Sequence, residues 1–133
     1  MHPLTILFER QPGRNAVLFA NIDRMRHFIE SIWGQIKGRA VRWLLPAEDR
    51  APQLLAWTQA GAAAYIFVVN RDPSRSARRF TLPQVDARQP ALKFVFSTTP
   101  NQRAETLVWN GFHYFVSQIG AGEGRVYRVE PPA

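Results

Sequence analysis

The chain has 133 residues, of which 46% are hydrophobic and 20% are charged. This balance is typical of a soluble globular protein, and we expect residues 1–133 to form a single domain rather than a disordered or fibrous chain. Cysteine is absent, which excludes disulfides, iron–sulfur clusters and thiolate zinc sites. Three histidines remain as soft ligands and none pairs at metal-ligand spacing, so no metal or other cofactor is expected.

The N-terminal sequence has no basic region, long apolar core or small-residue cleavage site, so no secretion signal is predicted. The longest apolar stretch, at residues 62–69, is far shorter than the roughly 20 residues that a membrane helix needs. We therefore expect a cytoplasmic protein without membrane association. The net charge is +7, and because the basic excess is centred on residues 71–88, it raises the hypothesis of a polyanionic partner.

The first elements in chain order are a predicted hairpin and helix. Residues 4–8 and 16–20 alternate with a period of two, and Pro12-Gly13 between them suits a type II turn, which predicts an N-terminal β-hairpin. Apolar residues then recur at three-to-four spacing, which predicts one amphipathic helix at residues 22–37. Asn21 suits its N-cap, and Gly38 suits its C-terminal end.

From residue 39 onward, short apolar runs alternate with Gly, Pro, Asn and Asp clusters. This pattern is typical of an antiparallel two-sheet β-sandwich, which we predict for residues 39–130. Candidate strands lie at residues 40–45, 54–59, 64–69, 78–82, 92–97, 105–109, 112–118 and 125–129. The run at residues 64–69 is apolar on both faces, which predicts a central strand that the helix covers on one side. The fold class predicted is thus mainly β, with an N-terminal β-hairpin and one amphipathic α-helix.

Asn110-Gly111 predicts a type I′ hairpin turn, because both residues tolerate positive φ angles. A two-residue turn at this position pairs Trp109 with Phe112. Pleating then directs one face of the hairpin to the core and the other face outward. The predicted core face carries Glu105, Leu107, Trp109, Phe112, Tyr114 and Val116, and the outer face carries Thr106, Val108, His113, Phe115 and Ser117.

The sequence carries no signature of catalysis. The adjacent acids Glu48-Asp49 lie in a turn-like segment and do not form a separated glycosidase pair, and no Gly-x-Ser-x-Gly nucleophile motif occurs. The glycine-rich residues 120–124 lack the Lys-Ser/Thr of a phosphate-binding loop and predict a hairpin turn. We therefore expect a protein that is not an enzyme and has no catalytic residues.

The sequence suggests two sets of binding residues. Four tryptophans in one small domain suggest stacking on a sugar, and the carbohydrate-binding candidates are Trp109, His113 and Trp57, with packing in the core as the alternative for each. The polyanion-binding candidates are Arg71, Arg75, Arg78 and Arg79, because guanidinium groups bind phosphates bidentately. A solvated charged loop is the alternative, since no known RNA-binding signature accompanies these arginines. Nucleic acid is accordingly the weaker of the two partner hypotheses.

Several stretches resemble the C-terminal β-sandwich domain of alpha-amylase-type glycoside hydrolases. They are residues 39–46 (RAVRWLLP), 54–59 (LLAWTQ), 65–72 (YIFVVNRD), 79–83 (RFTLP) and 124–129 (GRVYRV). The resemblance spans about residues 39–130 and is a pattern of strands. In such enzymes the active site lies in a separate (β/α)₈ barrel, so the resemblance implies no catalytic residue in this chain.

The resemblance implies a non-catalytic accessory or binding module, with weak α-glucan binding or contact with a protein partner. In that case Trp109→Ala is expected to weaken glucan binding. Two alternatives stay open from the residues: a polyanion-binding or nucleic-acid-binding protein, and a structural subunit of an assembly. The sequence does not determine the oligomeric state.

Overall fold

A computed structural model describes residues 16–38, 40–45, 54–60, 63–72, 74–99 and 105–130, without the side chains of residues 16–19, 45, 55 and 78. Within these residues the chain forms one helix and seven strands. The helix α1 is Ala16–Ile36, and the strands are β1 Arg42–Leu45, β2 Leu54–Ala60, β3 Ala64–Asn70, β4 Ala77–Leu82, β5 Leu92–Ser97, β6 Tyr114–Ile119 and β7 Gly124–Val129.

The strands form two antiparallel sheets. One sheet has the order β1-β2-β3-β7-β5, and the other consists of β4 and β6. This arrangement confirms the predicted mainly β class with two antiparallel sheets and one helix. Seven of the eight predicted strands appear with ends that differ by two residues or fewer, because each strand is an apolar run bounded by turn residues.

Two apolar layers lie on opposite faces of the five-stranded sheet. The helix-side core is the layer between α1 and this sheet, and the inter-sheet core is the layer between the two sheets. The central strand β3 supplies both, since Tyr65 and Phe67 lie in the helix-side core while Ile66 and Val68 lie in the inter-sheet core. Burial on both faces explains why β3 is apolar from Ala64 to Val69.

The helix α1 covers its face of the sheet with buried residues at three-to-four spacing: Ile22, Met25, Ile29, Ile32 and Ile36. It begins at Ala16, six residues earlier than predicted. The predicted strand at residues 16–20 is therefore wrong, because that short apolar run continues the helix. The first strand and turn of the predicted hairpin lie outside the described residues. Asn21 is inside the helix instead of capping it, and its Nδ2 donates to the carbonyl of Gly122.

Glycine at the start of β7 lets the helix approach the sheet. A Cβ on Gly124 would lie 2.7 Å from Cε of Met25 and 3.3 Å from Cγ2 of Thr98. Polar contacts also hold the helix: Arg24 donates to the carbonyl of Thr98 at 3.1 Å, and the Tyr65 hydroxyl donates to Oε1 of Gln35 at 3.0 Å. The helix is thus fixed along its length by both apolar and polar contacts.

Asn70, at the end of β3, joins two loops on one side of the sandwich. Its Nδ2 donates to the carbonyl of Arg75 at 2.8 Å and to the carbonyl of Gly120 at 3.0 Å. The Asn70 side chain is buried, and these bonds satisfy a polar group that would be costly to bury alone. They link the loop between β3 and β4 to the turn between β6 and β7.

The predicted type I′ hairpin is wrong in its register. The N–H of Asn110 donates to the carbonyl of His113 at 3.2 Å, so the turn is centred on Gly111 and Phe112, one residue later than predicted. Gly111 has φ 99°, and the Asn110 carboxamide accepts from the N–H groups of Phe112 and His113. These side-chain bonds stabilise the shifted turn.

The two arms of that predicted hairpin also pair elsewhere. Residues 105–109 make a single bridge, between Leu107 and Leu92 of β5, and β6 pairs with β4. The predicted facing holds for Leu107, Tyr114 and Val116, which are buried, whereas Phe112 is exposed at the turn. Residues 120–123 form the predicted turn, but it joins the two sheets instead of closing a hairpin.

Candidate binding cleft

An open cleft of about 600 Å³ is lined by residues of both sheets, from β6 in one and β7 in the other. Four consecutive residues of β6, at positions 115–118, form one wall, which places the cleft along the edge of β6 that does not pair with β4. The described residues that line it are Glu105, Leu107, Phe115, Val116, Ser117, Gln118, Gly120, Glu123, Arg125 and Tyr127. The volume falls within the range of about 300–1,000 Å³ common for small-molecule sites.

A buried ion pair forms part of the lining. The Arg125 guanidinium donates from Nε to Oε2 of Glu123 at 2.8 Å and from Nη2 to Oε1 at 3.0 Å. Glu123 and Arg125 are 1% and 4% exposed. A bidentate pair of this kind is among the strongest polar contacts in a protein, and it compensates for the removal of both charges from water.

Further donors occupy the remaining positions of the Glu123 carboxylate. The Ser97 hydroxyl donates to Oε2 at 2.7 Å, and the backbone N–H of Gly120 donates to Oε1 at 2.7 Å. Each carboxylate oxygen therefore accepts two hydrogen bonds, which is its ordinary capacity. Through these hydrogen bonds the Glu123 side chain joins β5, the 120–123 turn and β7.

The Tyr127 hydroxyl extends this network. It accepts a hydrogen bond from Nη1 of Arg125 at 3.1 Å, and no other described group accepts its own proton. Burial raises the pKa of Tyr127 because it disfavours the phenolate. Burial, the largest single influence, would lower the pKa of Arg125, but its interactions with Glu123 and Tyr127 together outweigh burial and the pKa is raised. The lining therefore presents a protonated phenol and a permanently charged guanidinium.

The β6 wall combines an aromatic ring with polar side chains. Phe115 is 48% exposed, and Ser117 and Gln118 follow it as exposed residues. Glu105 is another exposed residue of the lining. An exposed ring beside uncharged hydrogen-bonding groups provides an apolar platform together with polar partners.

Trp57, a predicted carbohydrate contact, is fully buried at 0% exposure. Its ring stacks on Phe67 at a centroid distance of 5.2 Å, and its Nε1 donates to Oε1 of Gln59 at 3.3 Å. A sugar cannot stack on it in this packing, so the prediction is wrong for Trp57 and the alternative of a core role is correct. Its position on the helix-facing side of β2 decides this outcome.

Trp109 and His113 lie beside the shifted turn, and neither is among the described residues that line the cleft. Trp109 is half-buried and packs edge-on against Tyr114, with ring centroids 5.2 Å apart. His113 is also half-buried. The two residues are neighbours at the turn but are not joined to the cleft, and their role in sugar binding stays a prediction.

The four arginine candidates lie on β4 and on the loop that leads to it from β3. Arg75 and Arg79 are exposed, and Arg71 is half-buried. Arg79 has φ 54°, a left-handed conformation that is uncommon outside glycine. The side chain of Arg78 lies outside the described part of the structure. The hypothesis of a polyanion site therefore keeps its sequence basis and gains no geometric support.

Sequence reasoning did not identify the cleft residues as a group. Glu123, Arg125 and Tyr127 occupy alternate positions along one stretch of chain, a spacing that places side chains on one face of a strand. That alternation is the signal that could have found the buried network. Phe115 and Glu105 lie in other parts of the chain, and their place in the same lining depends on the tertiary arrangement of the two sheets.

Within the described residues no helix is both long and apolar enough to cross a bilayer. The same residues contain no group of three His, Cys, Asp or Glu side chains that could hold a metal ion.

No protein-family model matches the sequence, and no curated protein matches it. Among solved structures, the chain is similar to isomaltulose synthase from Klebsiella sp. LX3, an enzyme of the alpha-amylase family, with a TM-score of 0.50 and 20% sequence identity. The match covers 83% of this chain but only 16% of the enzyme. The predicted resemblance to the β-sandwich domain of alpha-amylase-type enzymes is thus confirmed at the level of the fold.

Proposed function

We propose that this chain is a non-catalytic accessory module that binds α-glucan weakly. The observation that carries the proposal is the open cleft on a sandwich of this fold, where an exposed Phe115 ring lies beside polar side chains. The similarity to a 16% portion of isomaltulose synthase supports an accessory role, because that portion is a small part of an enzyme.

The state of the carboxylates supports the non-catalytic part of the proposal. Glycoside hydrolysis needs two carboxyl groups, one as an acid and the other as a base or nucleophile. The described lining of the cleft has two, but Glu123 already accepts two hydrogen bonds on each oxygen. With its lone pairs occupied, it has none left for a substrate proton or an anomeric carbon.

Affinity electrophoresis tests glucan binding. The purified protein is run in native gels with and without glycogen, and we expect slower migration only in the glycogen gel. Equal relative migration in both gels would refute glucan binding. An assay of reducing-sugar release on the same samples tests catalysis, and we expect none above a blank. Release that depends on Glu105 or Glu123 would overturn the non-catalytic assignment.

A second candidate function, contact with a protein partner, is favoured by two exposed apolar side chains. Val108 is 68% exposed and Phe112 is 84% exposed, on either side of the Asn110-Gly111 position. Exposed large apolar groups are frequent at protein interfaces. Light scattering over a concentration series tests self-association: a mass above 15.2 kDa that falls on Phe112→Ala supports it, and a constant monomer mass excludes a homo-oligomer.

A further inference from the structure

We infer that the cleft along β6 is a subsite for a neutral pyranose sugar, with Phe115 as the stacking platform and Glu105 as a residue that disfavours acidic sugars. The α-glucan part of this inference rests on the proposed function, but the subsite itself is defined by the chemistry of its lining. It is distinct from the Trp109 position that the sequence suggests.

The apolar contribution comes from Phe115. Its neighbours Tyr114 and Val116 point into the inter-sheet core, so the alternation of β6 turns Phe115 outward, where 48% of it stays accessible. A pyranose presents a face of C–H groups to such a ring. A half-exposed ring held on a strand loses little conformational freedom when it makes this contact.

The polar contribution comes from a strand edge and a hydroxyl proton that have no partner among the described residues. Because β6 pairs only with β4 among the described strands, the backbone N–H and C=O groups along its other edge have no strand partner there. Tyr127 is 1% exposed, and its hydroxyl accepts from Arg125 and donates its own proton to no other described group. Sugar hydroxyls can both donate to and accept from this set of groups.

The charge of the cleft selects against anions. Two carboxylates, Glu105 and Glu123, face it together with one guanidinium, Arg125, among the described residues. The Glu123–Arg125 pair is internally neutral, which leaves the exposed Glu105 as the charge in the described lining with no ion-pair partner among the described residues. A uronic acid sugar placed here would meet a like charge, while a neutral sugar would not.

Amide chemical shifts of the ¹⁵N-labelled protein test the inference with maltotriose and trigalacturonic acid, two ligands with equal numbers of rings and different charge. We expect maltotriose to shift residues 105–107 and 115–118, and trigalacturonic acid to bind more weakly. Phe115→Ala is expected to weaken maltotriose binding about tenfold. The matched control Phe112→Ala removes an aromatic ring outside the cleft and is expected to change affinity less than twofold.

Glu105→Gln tests the selectivity without disturbing a described contact. We expect it to bring the affinity for trigalacturonic acid within about twofold of that for maltotriose at low salt. Unchanged discrimination in Glu105→Gln would overturn the charge argument. Shifts confined to the Trp109–His113 turn, or unchanged binding by Phe115→Ala, would overturn the subsite.

The glycogen gels and the trisaccharide titrations together separate the subsite from the proposed function. If Phe115→Ala still slows in glycogen gels like the wild-type protein, glucan binding stands and the subsite is refuted. A second outcome is that maltotriose does not bind, whereas cellotriose shifts the amide signals of residues 115–118 in the wild-type protein and not in Phe115→Ala. In that case the subsite stands and the α-glucan assignment falls. Failure of every neutral trisaccharide refutes both.

Discussion

The helix-side core and the inter-sheet core use the same central sheet in different ways. On the helix side, α1 covers β3 and β7 with a continuous row of buried apolar residues, and Trp57 and Phe67 stack inside it. On the other side, the second sheet has two described strands, and the layer ends in an open cleft above a buried ion pair. Both faces of the sheet are packed with buried apolar residues, and only the inter-sheet side also borders the described cleft.

The largest expected effect is on the helix side. Trp57→Ala removes a fully buried ring and is expected to lower the free energy of unfolding by about 3–5 kcal/mol. Urea denaturation followed by circular dichroism measures it. Phe112→Ala is the control, because Phe112 is 84% exposed and its removal is expected to change stability by less than about 0.5 kcal/mol. Similar losses for both variants would contradict the assignment of the two positions.

The next effect probes the ion pair of the cleft. Glu123→Gln leaves the Arg125 charge buried without its partner, and we expect a loss of about 3 kcal/mol or more. Glu105→Gln is the matched control, since Glu105 is exposed in the same cleft. Urea midpoints of the two variants measure the difference. If Glu123→Gln is as stable as Glu105→Gln, the network does not hold the sheets together as described.

A smaller effect is expected from Tyr114 at high pH. Burial, followed by the nearby Asp86 charge, raises the pKa of Tyr114 to about 12, above the unfolded value of about 10. The folded state thus favours the protonated phenol, so its stabilising contribution is complete below about pH 10 and is lost as the pH rises through about 12. Tyr127 adds to this loss in the same direction.

Urea midpoints between pH 8 and pH 12 test this contribution. We expect them to fall more steeply in the wild-type protein than in Tyr114→Phe, which lacks the ionisable group. Tyr114→Phe also loses the 2.6 Å hydrogen bond to the carbonyl of Pro90, so its midpoint at pH 8 is expected to be lower. Parallel pH dependence in both proteins would show that the Tyr114 pKa is not raised by folding.

The smallest expected changes in stability come from replacing two glycines, one of which should stabilise the protein and the other destabilise it. Gly34→Ala adds a Cβ with nothing within 4 Å on the exposed side of α1, and a better helix former is expected to stabilise by about 0.5–1 kcal/mol. Gly124→Ala places a Cβ 2.7 Å from Met25 Cε and 3.3 Å from Thr98 Cγ2 and is expected to destabilise by about 1 kcal/mol, since the flexible end of Met25 must move and Thr98 must shift slightly. Thermal unfolding of both variants measures the two signs. A stabilising Gly124→Ala would mean that the helix packs less closely than described.

Most of the fold was predictable because strands here are short apolar runs with clear breaks. The run at residues 92–97 coincides with β5, and the doubly apolar run at 64–69 identifies the sheet centre. The helical structure of residues 16–20 was not predictable, since five apolar residues fit a strand or a helix equally well until their packing is known. The Asn110-Gly111 turn was placed one residue early because either register satisfies the local preferences.

The candidate site was much less predictable than the fold. Trp57 and Trp109 have the residue type that binds sugars, but burial decides whether a ring is available, and burial depends on which face of a sheet is covered. The pairing of β6 with β4 opens the cleft, and this long-range pairing joins elements that are not neighbours in the chain. Local patterns carry no information about it.

The most direct test of the account compares wild-type, Phe115→Ala and Trp109→Ala proteins side by side in native gels with and without glycogen. We expect glycogen to slow the wild-type and Trp109→Ala proteins and to leave Phe115→Ala unaffected. Slowing of Phe115→Ala together with loss of slowing in Trp109→Ala would move the binding site to the turn. Unaltered migration of all three proteins in glycogen would contradict the claim that the open side of the sandwich binds this polysaccharide.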